Sequence, residues 1–358
     1  MTDISEGNYK KLFIEKKAFF DVQIDDDAPR DYFESNYCAF RHRAEFSILR
    51  KNNQIFYGMT VEGKKETVSS FPIASDLIQE LMVLILDKIN NHTELSSKLF
   101  QIEFQSSRNG EAMISLIYHK QLDQDWLNIA SIISKEYSIS IIGRSKKQVE
   151  VIGKDFVTEI YNYSNKTFPL RLYDQCFSQT NPDICDEMLN WVSTYSQKEL
   201  GDVMELHCGL GTFTIPLSHI SNKVLATENS RPSIKALKLN IDLNKRKNIY
   251  FGRLSGRETL EAYRRKRSFR RLDGINLDEF NVETIFLDPP REGLDKNTLE
   301  ELKNMKNIIY ISCGFESFVR DLNELSETHQ IVRTAMFDQF PYTDHIESGA
   351  ILERIAPV

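Results

Sequence analysis

The chain has 358 residues, 41% hydrophobic and 27% charged, enough for two cores of ordinary size and unlike a disordered or collagen-like polymer. Its 45 Lys and Arg against 52 Asp and Glu leave a net charge of -7, which at first sight opposes a partner as acidic as nucleic acid. The longest apolar run, Leu81 to Leu86, is far short of the roughly 20 residues that span a bilayer, and Met1-Thr2-Asp3-Ile4-Ser5-Glu6 lacks a signal-peptide pattern, so a cytoplasmic location away from membranes is expected.

In chain order, strand-like alternation marks Ala44 to Leu49, Gln54 to Thr60, Phe100 to Phe104, Ala112 to His119 and Ser138 to Ile142. Two helices interrupt them. One starts at the capping residue Ser75 and carries Leu77, Leu81, Leu84 and Ile85; the other sets Leu122, Trp126, Ile129 and Ile133 on one face. The polar stretch Asn162 to Thr167 reads as a boundary zone, giving domains of about 1–170 and 171–358. Beyond residue 200, strands alternate with helices: Asp202 to Leu206, Val224 to Glu228, Ile249 to Gly252, Thr284 to Asp288, Ile308 to Cys313, Gln330 to Phe337 and Glu347 to Leu352. That alternation predicts a mostly parallel, doubly wound α/β sheet, in which ligands bind beyond the carboxyl ends of the strands.

Three unusual groups fall at those ends. Glu205-Leu206-His207-Cys208-Gly209-Leu210-Gly211-Thr212-Phe213 turns a strand through two glycines into a helix, and Glu228 ends the next strand, where a carboxylate can accept both ribose hydroxyls of a nucleoside cofactor. A tight turn beside a surface carboxylate would read the same way. The third glycine of the dinucleotide pattern is absent, which favours S-adenosylmethionine over NAD. Asp288-Pro289-Pro290-Arg291 forms a stiff loop after an apolar strand, and Arg291 stands where base-methylating enzymes of exocyclic amines carry a stacking aromatic. Cys313 closes the strand after that. The five cysteines, Cys38, Cys176, Cys185, Cys208 and Cys313, contain no C-x-x-C pair, so neither a metal nor an iron-sulfur cluster is expected. A cysteine on a buried strand is ordinarily an inert hydrophobe; its place beside the cofactor loop makes Cys313 a candidate thiol.

Together with Phe177-Ser178-Gln179-Thr180-Asn181, Phe337-Asp338-Gln339-Phe340-Pro341-Tyr342-Thr343, His345-Ile346-Glu347-Ser348-Gly349 and the N-terminal Arg41-His42-Arg43-Ala44-Glu45-Phe46, these motifs strongly resemble the RNA 5-methyluridine methyltransferases over nearly the whole chain. The resemblance implies a C-terminal Rossmann-like S-adenosylmethionine-dependent methyltransferase sheet preceded by an α+β RNA-binding domain. It implies methylation of carbon 5 of the T-loop uridine of tRNA, with a T-like loop of transfer-messenger RNA as a further substrate, and no protein partner. By the same carry-over Cys313 is the nucleophile that adds to carbon 6 of uracil, Glu347 the base that removes the carbon 5 proton, and Gln179, His207, Thr212, Glu228 and Asp288 hold S-adenosylmethionine.

RNA must be gripped and its uridine extruded. Arg41, Arg43 and the Arg144 to Lys147 stretch are candidates for phosphate contacts, and Phe100 or Phe104 for stacking, although exposed basics are commonly just solvated and alternating phenylalanines commonly core. Between Arg253 and Arg271 lie eight basic residues, including Arg264 and Arg265, against two acidic ones, so the net charge conceals a local basic excursion (about 253–280) that could steer RNA. The chain departs from the family where Gly314-Phe315 replaces Asn-Pro or Asp-Pro after the nucleophile, and where His207 and Thr212 replace a common Tyr and Asn. Two other readings therefore stay open: a non-catalytic tRNA-binding or folding protein, and a 5-methyluridine methyltransferase of ribosomal RNA.

Overall fold

The computed structural model describes residues 3–24, 26–52, 54–61, 63–194 and 200–355. They form two compact units: residues up to Ser35 with Tyr161–Leu170 and Gln175–Val358, and Asn36–Ile160 with Arg171–Asp174. The first 35 residues, placed by sequence with an N-terminal domain, thus cluster with the C-terminal unit. They hold α1 (Glu6–Gln23), capped by Ser5, and β1 (Arg30–Phe33). Tyr9, Phe13, Lys16 and Phe20 line the buried face of α1 at helical spacing. The lysine within that stripe is what obscures it in the sequence.

The second unit is a seven-stranded sheet built from β2 (Arg43–Lys51), β3 (Gln54–Val61), β4 (Lys64–Val68), then α2 (Asp76–Asn91) and α3 (Thr93–Ser96), β5 (Leu99–Ser106), β6 (Ala112–Tyr118), α4 (Gln124–Tyr137), β7 (Ser140–Ser145) and β8 (Gln148–Ile152). The strand order is β4-β3-β2-β5-β6-β7-β8. Among the described residues of this sheet, β6 and β7 alone pair in parallel, because α4 carries the chain across between them. Ser75 and Asp123 cap α2 and α4 by accepting the backbone N–H groups of Ile78 and Trp126. The apolar faces of both helices join Phe46, Tyr57 and Phe104 in one core.

A hairpin follows, β9 (Phe156–Tyr163) and β10 (Lys166–Tyr173). The expected boundary zone 162–167 is its turn: Ser164 and Asn165 both take positive φ, 44° and 59°, as a two-residue hairpin loop demands. β9 is disguised in the sequence by Glu159, a buried strand position whose carboxylate is satisfied by Arg108 at 2.9 Å.

The chain then enters α5 (Pro182–Thr194), β11 (Asp202–Leu206), α6 (Thr214–Ile220), β12 (Val224–Thr227), α7 (Arg231–Leu243), β13 (Ile249–Gly252), α8 (Gly256–Tyr263), β14 (Val282–Leu287), α9 (Lys296–Leu302), β15 (Asn307–Ser312), α10 (Phe315–Leu325), β16 (His329–Phe337) and β17 (Glu347–Arg354). These strands form an eight-stranded sheet ordered β1-β16-β17-β15-β14-β11-β12-β13. It is parallel except for β17, which runs antiparallel to both neighbours. β1 adds an edge strand through parallel pairing of Arg30–Phe33 with Thr334–Phe337, and Asp31 is anchored by Trp191 and Arg333. The winding reverses at β11, flanked by β12 on one side and β14 on the other, so a crevice opens above its carboxyl end.

Candidate active site

The turn leaving β11 is shaped by backbone needs. His207, Gly209 and Gly211 all take positive φ, and at Gly211, with φ of 102°, an added Cβ would lie 2.8 Å from Leu237. Glu228, one residue past β12, receives the Gly209 N–H at 3.2 Å and the Ser230 N–H at 2.6 Å, so its carboxylate is fixed across the crevice. Thr212 is half-buried in the same turn. His207 is largely enclosed, and burial lowers its pKa, keeping the imidazole neutral near pH 7. Gln179 is buried just before α5, its side-chain amide 3.0 Å from that of Gln339.

Sequence reasoning passed over Glu205, although the residue lies within the glycine-turn motif. It lies on β11, 1% exposed, and its two carboxylate oxygens are buried without a close hydrogen bond among the described residues, within reach of the charges of Asp288 and Glu228. Burial pushes its pKa up to about 8, with the charges of Asp288 and Glu228 adding to the rise and Thr214 opposing it. Buried groups in that state need a ligand, and a cation serves an acidic one best. S-adenosylmethionine carries a sulfonium, an ammonium and ribose hydroxyls, so a crevice with Glu228 held at its edge and the acidic Glu205 and Asp288 close by fits it. The signal available in the sequence was a lone acidic residue inside an apolar strand.

The candidate catalytic residues Cys313 and Glu347, and Asp288 of the candidate cofactor set, lie across β14, β15 and β17. Asp288 follows β14, Cys313 follows β15 and Glu347 opens β17. Ser312 pairs with Ser348 in the antiparallel register, which sets Cys313 and Glu347 next to one another. Burial raises the Cys313 pKa to about 11; the negative charges of Glu347 and Asp288 add to this, and Arg291 opposes it by charge and hydrogen bonding. The Asp288 carboxyl rises to about 7 through burial. Glu347, 2% exposed, is pushed well above the carboxylate range by burial and by Asp288, again against Arg291. Arg291 is thus a cation common to both environments. It lines, with Cys313, an open cleft of about 950 Å³ whose opposite wall is α1 through Leu12, Lys16 and Phe19. Lys16 is itself locked by a buried ion pair with Asp338 and a bond to the Phe340 carbonyl, both 2.8 Å.

The residues expected to meet RNA fare unevenly. Phe104 cannot offer a stacking face: it is 1% exposed, packed against Phe46 and Tyr57, because its strand turns it toward α2 and α4. Phe100, half-buried, stacks on His119 at 3.9 Å. Arg41 donates to the Arg43 carbonyl, and Arg43 reaches Glu103 at 3.4 Å. Arg144 bonds Asp174. In the basic excursion Arg264 and Lys266 share Glu301, Arg265 bonds Asp278 and Arg271 takes Glu258 at 2.6 Å. Glu301 sits in the last turn of α9, where the chain heads into β15, at the end of the sheet away from Cys313. The excursion is an ordered layer of α8 and two short 3-10 turns in which Arg257, Arg264, Arg265, Lys266 and Arg271 are ion-paired.

Among the described residues no group of three His, Cys, Asp or Glu could hold a metal ion, and no helix is long and apolar enough to cross a membrane. Compared with known proteins, residues 8–355 match the family model described as tRNA (Uracil-5-)-methyltransferase. A relative from Acinetobacter baylyi named tRNA/tmRNA (uracil-C(5))-methyltransferase is 41% identical over 333 residues, covering 91% of this chain and 92% of its own. One of the same name from Shewanella pealeana is 40% identical over 337 residues, covering 92% of each. Among solved structures, the Pyrococcus abyssi tRNA (uracil-54, C5)-methyltransferase in complex with S-adenosyl-L-homocysteine superposes with a TM-score of 0.73 at 19% identity, covering 96% of this chain and 83% of that one, which establishes a shared fold.

Proposed function

Since the chain belongs to the tRNA (uracil-5-)-methyltransferase family, we propose that it methylates carbon 5 of the T-loop uridine in tRNA, and of a like loop in transfer-messenger RNA, through a covalent bond to Cys313. The observation that carries this reading is the meeting of Cys313, Glu347, Asp288 and Arg291 at adjoining strand ends, beside a crevice suited to a cationic nucleoside.

Carbon 5 of uracil is a weak nucleophile, so the reaction needs a detour. The Cys313 thiol loses its proton to water as sulfur adds to carbon 6, and the electron pair of the 5,6 double bond moves to carbon 5 and the neighbouring carbonyl. S-adenosylmethionine, when bound, supplies an electrophilic methyl group. Carbon 5 would take that methyl as its bond to the cofactor's sulfur breaks, the electron pair leaving with the neutral thioether, and the Glu347 carboxylate takes the carbon 5 proton. The electron pair left behind restores the double bond and expels Cys313 as thiolate. Arg291 favours the ionised thiol and the ionised Glu347 alike, which both steps require. Gln179, His207, Thr212, Glu228 and Asp288 would hold the cofactor, joined by Glu205.

For RNA, Arg41, Arg43 and Phe100 remain the proposed contacts in the second unit. The transfer of labelled methyl from S-adenosylmethionine to unmodified tRNA tests the reading. Methyl incorporation at one uridine, lost in Cys313→Ala, is expected; tRNA binding without incorporation would favour the non-catalytic alternative.

A further inference from the structure

Cys313 lies beyond the last hydrogen-bonded residue of β15, where the sheet no longer fixes it, and it is followed by Gly314-Phe315 with no proline to stiffen the loop. Other contacts take up that task. An added Cβ on Gly314 would stand 2.2 Å from the Arg291 carbonyl oxygen and 2.7 Å from Ser317 Oγ, so the two loops touch backbone to backbone in a way only glycine permits. Ser317 Oγ lies 2.8 Å from the Arg291 carbonyl and 2.8 Å from the Gly314 carbonyl, its one hydrogen shared between them. The Gly314 N–H donates to Ser312 Oγ at 3.2 Å. On the outer side the Phe315 ring packs against Phe19 and Phe20 of α1, with centroids 5.4 and 5.6 Å away. Further along, the fully buried Asp321 accepts the Leu294 N–H at 3.0 Å and the Tyr310 hydroxyl at 2.8 Å, tying the far end of the 288–294 loop to α10.

We propose that Gly314 and Ser317 are positioning residues that clasp the nucleophile loop to the Asp288–Arg291 loop, and so set the Cys313 thiol against Arg291 and Glu347. The kinetic side of this proposal rests on the methyltransferase reading above; the structural side does not. The two loops leave adjacent parallel strands, β14 and β15, and each carries a group the reaction needs. Because the clasp acts on the Arg291 backbone, it also orients the side chain that opposes the rise in the thiol's pKa. A misplacement of about 1 Å at a reacting atom costs on the order of 100-fold in rate, so a clasp of one shared hydroxyl bond and one close backbone contact has ample leverage.

The test uses the full chain with Ser317→Ala, Ser317→Thr and Gly314→Ala. Single-turnover methyl transfer to unmodified tRNA and the rate of Cys313 alkylation by iodoacetamide from pH 7 to 10 without RNA are measured for each, alongside thermal melting. Ser317→Ala should lower methyl transfer roughly tenfold with KM for tRNA within about twofold, slow alkylation at pH 8 by about threefold, and be restored by Ser317→Thr. Gly314→Ala should cost about 100-fold. Wild-type transfer and alkylation in Ser317→Ala, or a loss that Ser317→Thr leaves unrepaired, would overturn the clasp. If Gly314→Ala does not fold, the Ser317 pair decides. If the wild-type chain transfers no methyl to tRNA, the methyltransferase reading fails by itself, and the alkylation profiles still uphold or overturn the clasp.

Discussion

Replacing Glu205 by Gln separates the cost of an orphaned buried carboxyl from its use. The Glu205 pKa rises from 4.5 to about 8 in the folded chain because burial disfavours the charge. A carboxyl raised in this way favours the folded state fully below about pH 4.5, and that contribution is lost as pH climbs toward about 8. At 1.36 kcal/mol per pH unit, the loss by pH 7 is about 3 kcal/mol. The Glu205→Gln variant would have no such dependence; its new amide would still lack partners, a cost of about 1–3 kcal/mol that is the same at every pH. Melting of the ligand-free protein at pH 5 and pH 7 reads the difference. Part of that loss is already present at pH 5, so between the two pH values it grows by about 2.5 kcal/mol, which for a unit of this size corresponds to a rise of roughly 5–10 °C in the Tm of Glu205→Gln relative to wild type. Binding should move the other way: S-adenosylhomocysteine, which keeps the ammonium, should bind the variant about tenfold or more weakly, as expected for losing a charged hydrogen bond. A Tm difference that is constant with pH, together with unchanged affinity, would refute the reasoning.

Other expectations follow from the same site. Cys313→Ala should lose methyl transfer while keeping the wild-type Tm and S-adenosylhomocysteine affinity, measured by melting and calorimetry. Cys313 alkylation in wild type should rise nearly tenfold per pH unit from 7 and level off near 11, and Arg291→Ala should slow it at every pH in that range, because the cation that favours the thiolate is gone. Lys16→Ala leaves Asp338, 2% exposed, without its ammonium partner, which should cost about 3–5 kcal/mol in chemical denaturation. Phe104→Ala should cost about 3–5 kcal/mol in stability as a core truncation, whereas Phe100→Ala should weaken tRNA binding with little change in Tm.

What the sequence disclosed and what it concealed have physical reasons. Helices α2 and α4 carried one-sided apolar spacing, and β11 to β17 together with β2, β3, β5, β6 and β7 alternated or ran apolar, so periodicity found them within a few residues, whereas β4 and β8 went unread. Elements with a charged residue on the buried side went unseen: α1 with Lys16, β9 with Glu159. Each of those charges is satisfied by a partner far along the chain, Asp338 and Arg108, which no local pattern reports. Edge strand β1 depends on pairing with β16, about three hundred residues away. At the site, position at a strand end pointed to Cys313, Asp288 and Glu228, while Glu347 came only from the family resemblance. Glu205 was hidden because a carboxylate within an apolar strand has no local meaning until its lack of partners is known. The basic excursion is legible only in part: its charge is visible in sequence, whereas the pairing of Arg264, Arg265, Lys266 and Arg271 with Glu301, Asp278 and Glu258 appears only in the fold.

The covalent role of Cys313 is tested most directly with a T-arm RNA whose target uridine carries fluorine at carbon 5. Glu347 cannot remove fluorine as it would a proton, so with S-adenosylmethionine present the reaction should stop after methyl transfer, leaving RNA bonded to the protein. Mass spectrometry of the digested complex should then show a methylated fluorouridine on the peptide containing Cys313, and no complex with Cys313→Ala. A covalent complex at another residue, or ordinary methylation of uridine by Cys313→Ala, would contradict the account.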